Sequence, residues 1–227
     1  MRILALETTD LAGSVAALAD GQLLGKRDLD PAMRSAQSLA GAIADLLRHL
    51  EWQASAVELI AVATGPGSFT GLRVGVTTAK MFAYAVGAEA LGINTLEAIA
   101  QQAPADVREL WAVLDAQRDQ VFAAHFSRSD RGIWQWVMQT SLFDDTAWLA
   151  QLSPPVAVSG PALVKLFDRL PSGVVALDRD VWSPKAAGLG ELAWRHYQCG
   201  RRDDLRSLVP HYFRPSAAEE KRRRTAK

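Results

Sequence analysis

What most limits the fold of this 227-residue chain is an order of elements that occurs twice. Three strand-like runs open it: Arg2 to Glu7, Gly13 to Ala19 after the polar turn Thr8-Thr9-Asp10, and Gln22 to Asp28 after Asp20-Gly21. Asp-Gly favours a tight hairpin, so the three runs predict a meander. Beyond Pro31, Leu39, Ile43, Leu46, Leu47 and Leu50 recur at helical spacing and predict a helix over 35–49. Leu59 to Ala63 is a short apolar run of the kind that fills a central strand. A helix over 72–86, a strand over 90–93 and a short helix over 95–102, stopped before Pro104, complete the first set. The second set has strands over 111–114, 120–126 and 132–140, the last with Trp134, Trp136 and Met138 expected on one face. A helical stretch over 146–152, a strand over 156–159, a helix over 162–170, a strand over 174–177 and a helix over 185–198 follow. Each set reads βββαβαβα, and each first strand ends in an acid, Glu7 and Asp115.

Two such units side by side predict an α/β, actin-like (ASKHA) fold made of two RNase H-like units, the second reduced. In such a fold a nucleotide binds between the units. The expected divisions are 1–103, 104–215 and a basic tail, 216–227, expected to be disordered. Six of the seven tryptophans lie after residue 110, so the second half is expected to have its own core. Formal net charge is zero, which excludes a global field that steers the chain to nucleic acid or membrane. From Arg201 onward, however, nine Lys/Arg face four Asp/Glu. The single cysteine, Cys199, excludes an internal disulfide and a cysteine-based zinc site, and is expected to be a buried thiol. No apolar run approaches the ~18 residues that span a bilayer, and Ile3 to Leu6 is too short for a signal core. The expectation is a cytoplasmic protein without a membrane segment.

The stretch Thr64-Gly65-Pro66-Gly67-Ser68-Phe69-Thr70-Gly71-Leu72-Arg73 joins a strand to a helix. Its glycines let the backbone turn sharply and approach something closely. Exposed amides at a helix start favour an anion. Yet Thr70 stands where a dinucleotide loop needs glycine, and Gly71-Leu72 stands where a Walker loop needs Gly-Lys-Ser/Thr. Two readings stay open: a phosphate cradle, or a tight junction with no ligand.

Gly71, Gly75, Ala79 and Ala83 recur every four residues, and Ala36, Ala40 and Ala44 form a second small stripe on the preceding helix. Such stripes let another helix come close. They predict either helix-mediated association or packing of the two helices on each other.

Catalytic constellations are missing. His49, His125, His196 and His211 form no i, i+4 pair, and there is no Gly-x-Ser-x-Gly elbow. The turn after Asp115, Ala116-Gln117-Arg118-Asp119, has no glycine, and Gly-Gly occurs nowhere. Side chains on a phosphate hairpin block close backbone approach. Glu7 and Asp115 therefore read equally as residual metal or nucleotide groups, with Thr8 and Thr9, or as caps of their own turns. An actin-like ATPase or small-molecule kinase is the alternative reading.

The run from Thr64 to Lys80 closely resembles the signature of the TsaB (YeaZ) family. Ile3 to Thr9, Gly92 to Glu97, Leu114 to Phe122, Ser159-Gly160-Pro161 and Pro210 to Arg214 resemble its other landmarks. The resemblance implies a non-catalytic scaffold for synthesis of threonylcarbamoyladenosine (t6A) in tRNA. Its implied partners are the catalytic homologue TsaD, the ATPase TsaE and a second copy of itself, with tRNA reached through the complex. It implies no cofactor of its own, and ATP and a divalent metal on the partner subunits. Docking through the first two helices implies an interface of Leu39, Ala40, Ile43, Leu47, Gly71, Leu72, Gly75, Thr78, Ala79 and Phe82. TsaD carries a metal-binding His-x-x-x-His on its first helix, and residues 34–38 here, Arg-Ser-Ala-Gln-Ser, hold no histidine pair. The opening acid, usually Asp in the family, is Glu7.

Overall fold

The computed structural model describes residues 1–10, 13–30 and 35–214; the basic tail and Arg34 lie outside them. The first sheet contains β1 (Arg2–Glu7), β2 (Ser14–Ala19), β3 (Gln22–Asp28), β4 (Leu59–Gly65) and β5 (Glu89–Asn94). Its order is β3-β2-β1-β4-β5. The meander β1-β2-β3 is antiparallel, while β4 and β5 run parallel to β1. The second sheet has β6 (Glu109–Gln117), β7 (Gln120–Arg128), β8 (Trp134–Asp144), β9 (Val156–Ser159) and β10 (Val174–Ala176). Its order, β10-β9-β6-β7-β8, repeats the first arrangement strand for strand. β4 is buried along its whole length, as its unbroken apolar run requires of a strand covered on both faces.

The helices are α1 (Ser35–His49), α2 (Phe69–Val86), α3 (Thr95–Gln101), α4 (Asp145–Leu149), α5 (Leu163–Leu166) and α6 (Ala186–Gln198). Local chemistry sets their ends. The Ser68 hydroxyl caps α2 by accepting the Gly71 N–H at 3.2 Å, and Gly87 closes it in the left-handed region. The Asn94 side chain caps α3 through the Leu96 N–H at 2.9 Å. The helix expected over 162–170 is one turn of α-helix followed by a 3-10 turn, Phe167–Arg169, so the reduction of the second unit lies in its helices.

The layers do not follow the chain halves. α1 and α2 cover one face of the first sheet around Leu39, Leu46, Ile60 and Val76. The other face is covered by α6 through Leu189, Leu192 and Ala193. α3, from the first half, packs on the second sheet through Leu96 and Ile99, and α4 and α5 cover that sheet's far face around Trp148. α3 and α6 thus form a middle layer between the sheets, joined by His196 and Glu97 at 3.0 Å.

Two local expectations are corrected. β8 is bulged at Val137, because Phe126 pairs with Trp136 while His125 pairs with Met138. Trp134 and Trp136 therefore face α3, whereas Met138 faces the opposite core. Cys199 is exposed, because it follows the last residue of α6 where the chain leaves the core.

Candidate functional site: a clamped turn and an open helix face

The parallel strands of the first sheet end where its strand order switches, between β1 and β4, the usual place for a ligand in such a sheet. Here Glu7 and the Thr8-Thr9 turn after it pack beneath the start of α2. Glu7, at the end of β1, is completely buried. Its Oε1 accepts the Thr9 N–H at 2.6 Å and also the Thr9 hydroxyl. Its Oε2 has no partner among the described residues. Burial pushes the Glu7 carboxyl up to about 8, although the bonds from Thr9 pull it down.

The glycine loop closes over this turn. A Cβ on Gly67 would lie 2.5 Å from Thr9 Cβ, and one on Gly71 would lie 1.8 Å from the Thr8 carbonyl oxygen. A Cβ on Gly75 would lie 2.3 Å from Thr8 Oγ1. The Thr8 hydroxyl donates to the Gly71 carbonyl at 2.8 Å, and the Ser68 N–H donates to the Thr9 carbonyl at 2.9 Å. What the glycines approach is Thr8-Thr9, which makes the loop a tight junction.

Asp115 occupies the matching place in the second unit. Its Oδ1 accepts the Gln117 N–H at 2.8 Å, as Glu7 accepts that of Thr9, so both acids cap the turn after their strand. The same oxygen pairs with Lys165 Nζ at 2.9 Å. Gln117, Arg118 and Asp119 all have positive φ, of 60°, 55° and 55°. Gly160 is needed where the Ser159-Gly160-Pro161 turn crosses β6, since a Cβ there would lie 1.9 Å from the Val113 carbonyl oxygen.

The chain after α6 returns across both units. Asp203 accepts the Gly92 N–H at 2.9 Å and Arg201 donates to the Gly92 carbonyl at 2.6 Å, which protects the free edge of β5. Lys80 of α2 donates to the carbonyls of Arg206 and Leu208, each at 3.0 Å. The His211 N–H bonds the Thr64 carbonyl at 2.7 Å. Tyr212 stacks on Phe69 with centroids 4.3 Å apart, and Arg73 donates to its hydroxyl at 3.0 Å. Phe213 packs near Phe122, and Arg214 reaches the Ala116 carbonyl at 2.5 Å. An open hollow of about 380 Å³ lies beside this segment, but its Arg201, Arg202, Asp203 and Asp204 are already bonded within the chain.

The expected helix interface divides in two. Leu39, Ile43 and Leu47 belong to the core under α1, and Leu72 and Ala79 to the core under α2. Gly71 and Gly75 face Thr8, and Ala79 and Ala83 lie in the core shared with α1, so the small stripe of α2 is covered within the chain. The reason is steric: α2 lies so close over the β1 turn that only glycine fits. Of the expected residues, Ala40 is exposed, and Thr78 and Phe82 are half-buried. Sequence reasoning missed Met81 and Tyr84, which are 68% and 84% exposed. Their signal was a large apolar pair three apart on α2, off the buried stripe. Gly41 and Ala44 of α1 are also exposed.

Two sheets of identical strand order, each with the βββαβαβα succession, define the actin-like class. The model of the family described as "TsaD: tRNA N6-adenosine threonylcarbamoyltransferase" matches residues 31–159. Two solved structures from Pseudomonas aeruginosa share the fold at 27% identity. One, described as similar to peptidase YeaZ, gives a TM-score of 0.81 over 94% of this chain and 99% of that one. The other, YeaZ, gives 0.79 over 93% and 99%. The TsaB proteins of Escherichia coli and Bacillus subtilis, named for tRNA threonylcarbamoyladenosine biosynthesis, are 28% and 26% identical. Each alignment covers 97% of this chain, and 98% and 97% of the relative. The chain belongs to the TsaB/YeaZ family of tRNA threonylcarbamoyladenosine biosynthesis proteins.

Proposed function

We propose that this chain is the non-catalytic subunit of a cytoplasmic t6A-synthesis complex, and that it docks on a TsaD-type transferase through the outer face of α1 and α2. The observation that carries this reading is Met81 and Tyr84 standing in solvent on α2 while the glycine side of that helix is buried. Met81 and Tyr84 of α2 would serve as anchors, and the small exposed Ala40, Gly41 and Ala44 of α1 would let a partner helix come close. The matched span, 31–159, contains both helices, so a TsaD-type partner would bring an equivalent pair. Two related faces then meet about a pseudo-twofold axis, and a second copy of this chain could use the same face.

The burial of Glu7 beneath the glycine loop and the pairing of Asp115 with Lys165 support a chain that processes no nucleotide of its own. ATP and a divalent metal then belong to the partners, including a TsaE-type ATPase, and tRNA is met through the complex. Among the described residues no helix is long and apolar enough to cross a membrane. The test is co-elution with the TsaD-type subunit on size exclusion. Tyr84→Glu and Met81→Glu should abolish co-elution while leaving each variant folded. Unchanged co-elution of both, or ATP turnover by the purified chain alone, would overturn the reading.

A further inference from the structure

The outer side of α2 carries a charge held in place by two aromatic rings. Arg73, Thr77, Met81 and Tyr84 follow at intervals of four, four and three residues, which puts them along one side of the helix, and all four are exposed. The guanidinium carbon of Arg73 lies 4.3 Å from the centroid of the Phe69 ring and 5.9 Å from that of Tyr212. Its Nε donates to the Tyr212 hydroxyl at 3.0 Å. Tyr212 is itself fixed, by its stack on Phe69 and by the bond from the neighbouring His211 N–H to the Thr64 carbonyl at 2.7 Å. Among the described residues, no hydrogen bond or ion pair engages the two terminal nitrogens of Arg73.

The other Asp, Lys and Arg residues of α1 and α2 are occupied. Asp45 and Arg48 pair with each other at 2.8 Å, and Lys80 holds the carbonyls of Arg206 and Leu208. Arg73 is thus a single open cation on a face that is otherwise neutral. A nucleic-acid backbone is met by several cations together, whereas one fixed guanidinium suits one acid. On the docking reading given above, we infer that the docking surface continues from Tyr84 and Met81 to Arg73 and Tyr212, and that Arg73 receives an Asp or Glu carboxylate of the TsaD-type partner. A carboxylate accepts two parallel N–H bonds from a guanidinium, and the open nitrogens of Arg73 supply that fork. The aromatic contacts restrict the side chain before the partner arrives, so less freedom is lost on binding. Tyr212 is a positioning residue: it acts on the partner through Arg73.

The test measures the affinity of the full-length chain for the TsaD-type subunit by titration calorimetry at low and high salt, about 50 and 300 mM. Thermal unfolding checks that each variant is folded. Arg73→Gln should weaken binding about tenfold or more and flatten its dependence on salt. Arg73→Lys keeps the charge without the fork, so its affinity should fall between the two while the salt dependence stays. Tyr212→Phe keeps the stack but frees the guanidinium, and should weaken binding by roughly two- to threefold. If Tyr84→Glu loses the partner while Arg73→Gln binds like the unchanged chain, the docking reading stands and this inference fails. If neither substitution matters, the docking reading fails and the inference with it. If Arg73→Gln leaves the subunits equally bound but lowers the affinity of the assembled complex for tRNA, Arg73 meets a phosphate and the inference is overturned.

Discussion

Gly71 and Thr8 touch backbone to backbone: a Cβ on Gly71 would lie 1.8 Å from the Thr8 carbonyl oxygen, and the Thr8 hydroxyl bonds the Gly71 carbonyl at 2.8 Å. This contact joins the start of α2 to the end of β1. It converts a loop with the look of a phosphate cradle into an internal clamp.

Gly71→Ala should therefore cost about 3 kcal/mol or more, because neither backbone can move aside without disturbing the sheet. Gly75→Leu should fail by the same route. It would unfold the first unit, as read by thermal denaturation, whereas a surface residue at that place would only weaken association.

Glu7 should make stability depend on pH. Its folded pKa of about 8 lies above the unfolded value of 4.5, so the folded state keeps a proton that the unfolded state releases between those limits. Its contribution is fully present below pH 4.5 and is lost as pH rises through 8. The slope approaches about 1.4 kcal/mol per pH unit in that window. Glu7→Gln should flatten this part of the profile, measured by urea unfolding at several pH values. A profile unchanged by the substitution would contradict the buried, protonated state.

Tyr84→Glu should change stability by less than about 0.5 kcal/mol, since the side chain is 84% exposed. It should weaken binding to the TsaD-type subunit at least about tenfold, as loss of an anchor does. Titration calorimetry reads the second effect and thermal unfolding the first.

Tyr212→Ala should destabilise the chain by about 1–2 kcal/mol, through loss of the stack on Phe69 and of the bond from Arg73. Tyr212→Phe keeps the stack and should lose only the smaller part. Chemical denaturation of the two variants separates the contributions.

The strands of both sheets were legible in the chain because period-two and unbroken apolar runs are local signals. β1, β3 and β9 begin and end where the pattern placed them. The turn-capping reading of Glu7 and Asp115 was legible as one of two possibilities. The direction of the α2 glycine stripe was not, because a small residue tells only that something is close. Here that something is Thr8, 63 positions earlier. The bulge at Val137 was hidden for a related reason, since register depends on the partner strand.

By itself the sequence determined the element order, its repetition and the lack of a local catalytic motif. Those depend on neighbours along the chain. Tertiary structure decided that α3 and α6 cross to form the middle layer, that Thr8 and Thr9 pack against the glycines of α2 and its loop, and that Met81 and Tyr84 remain in solvent. Such outcomes depend on which surfaces meet, and a helix with apolar residues on more than one face can bury only the face its sheet can reach.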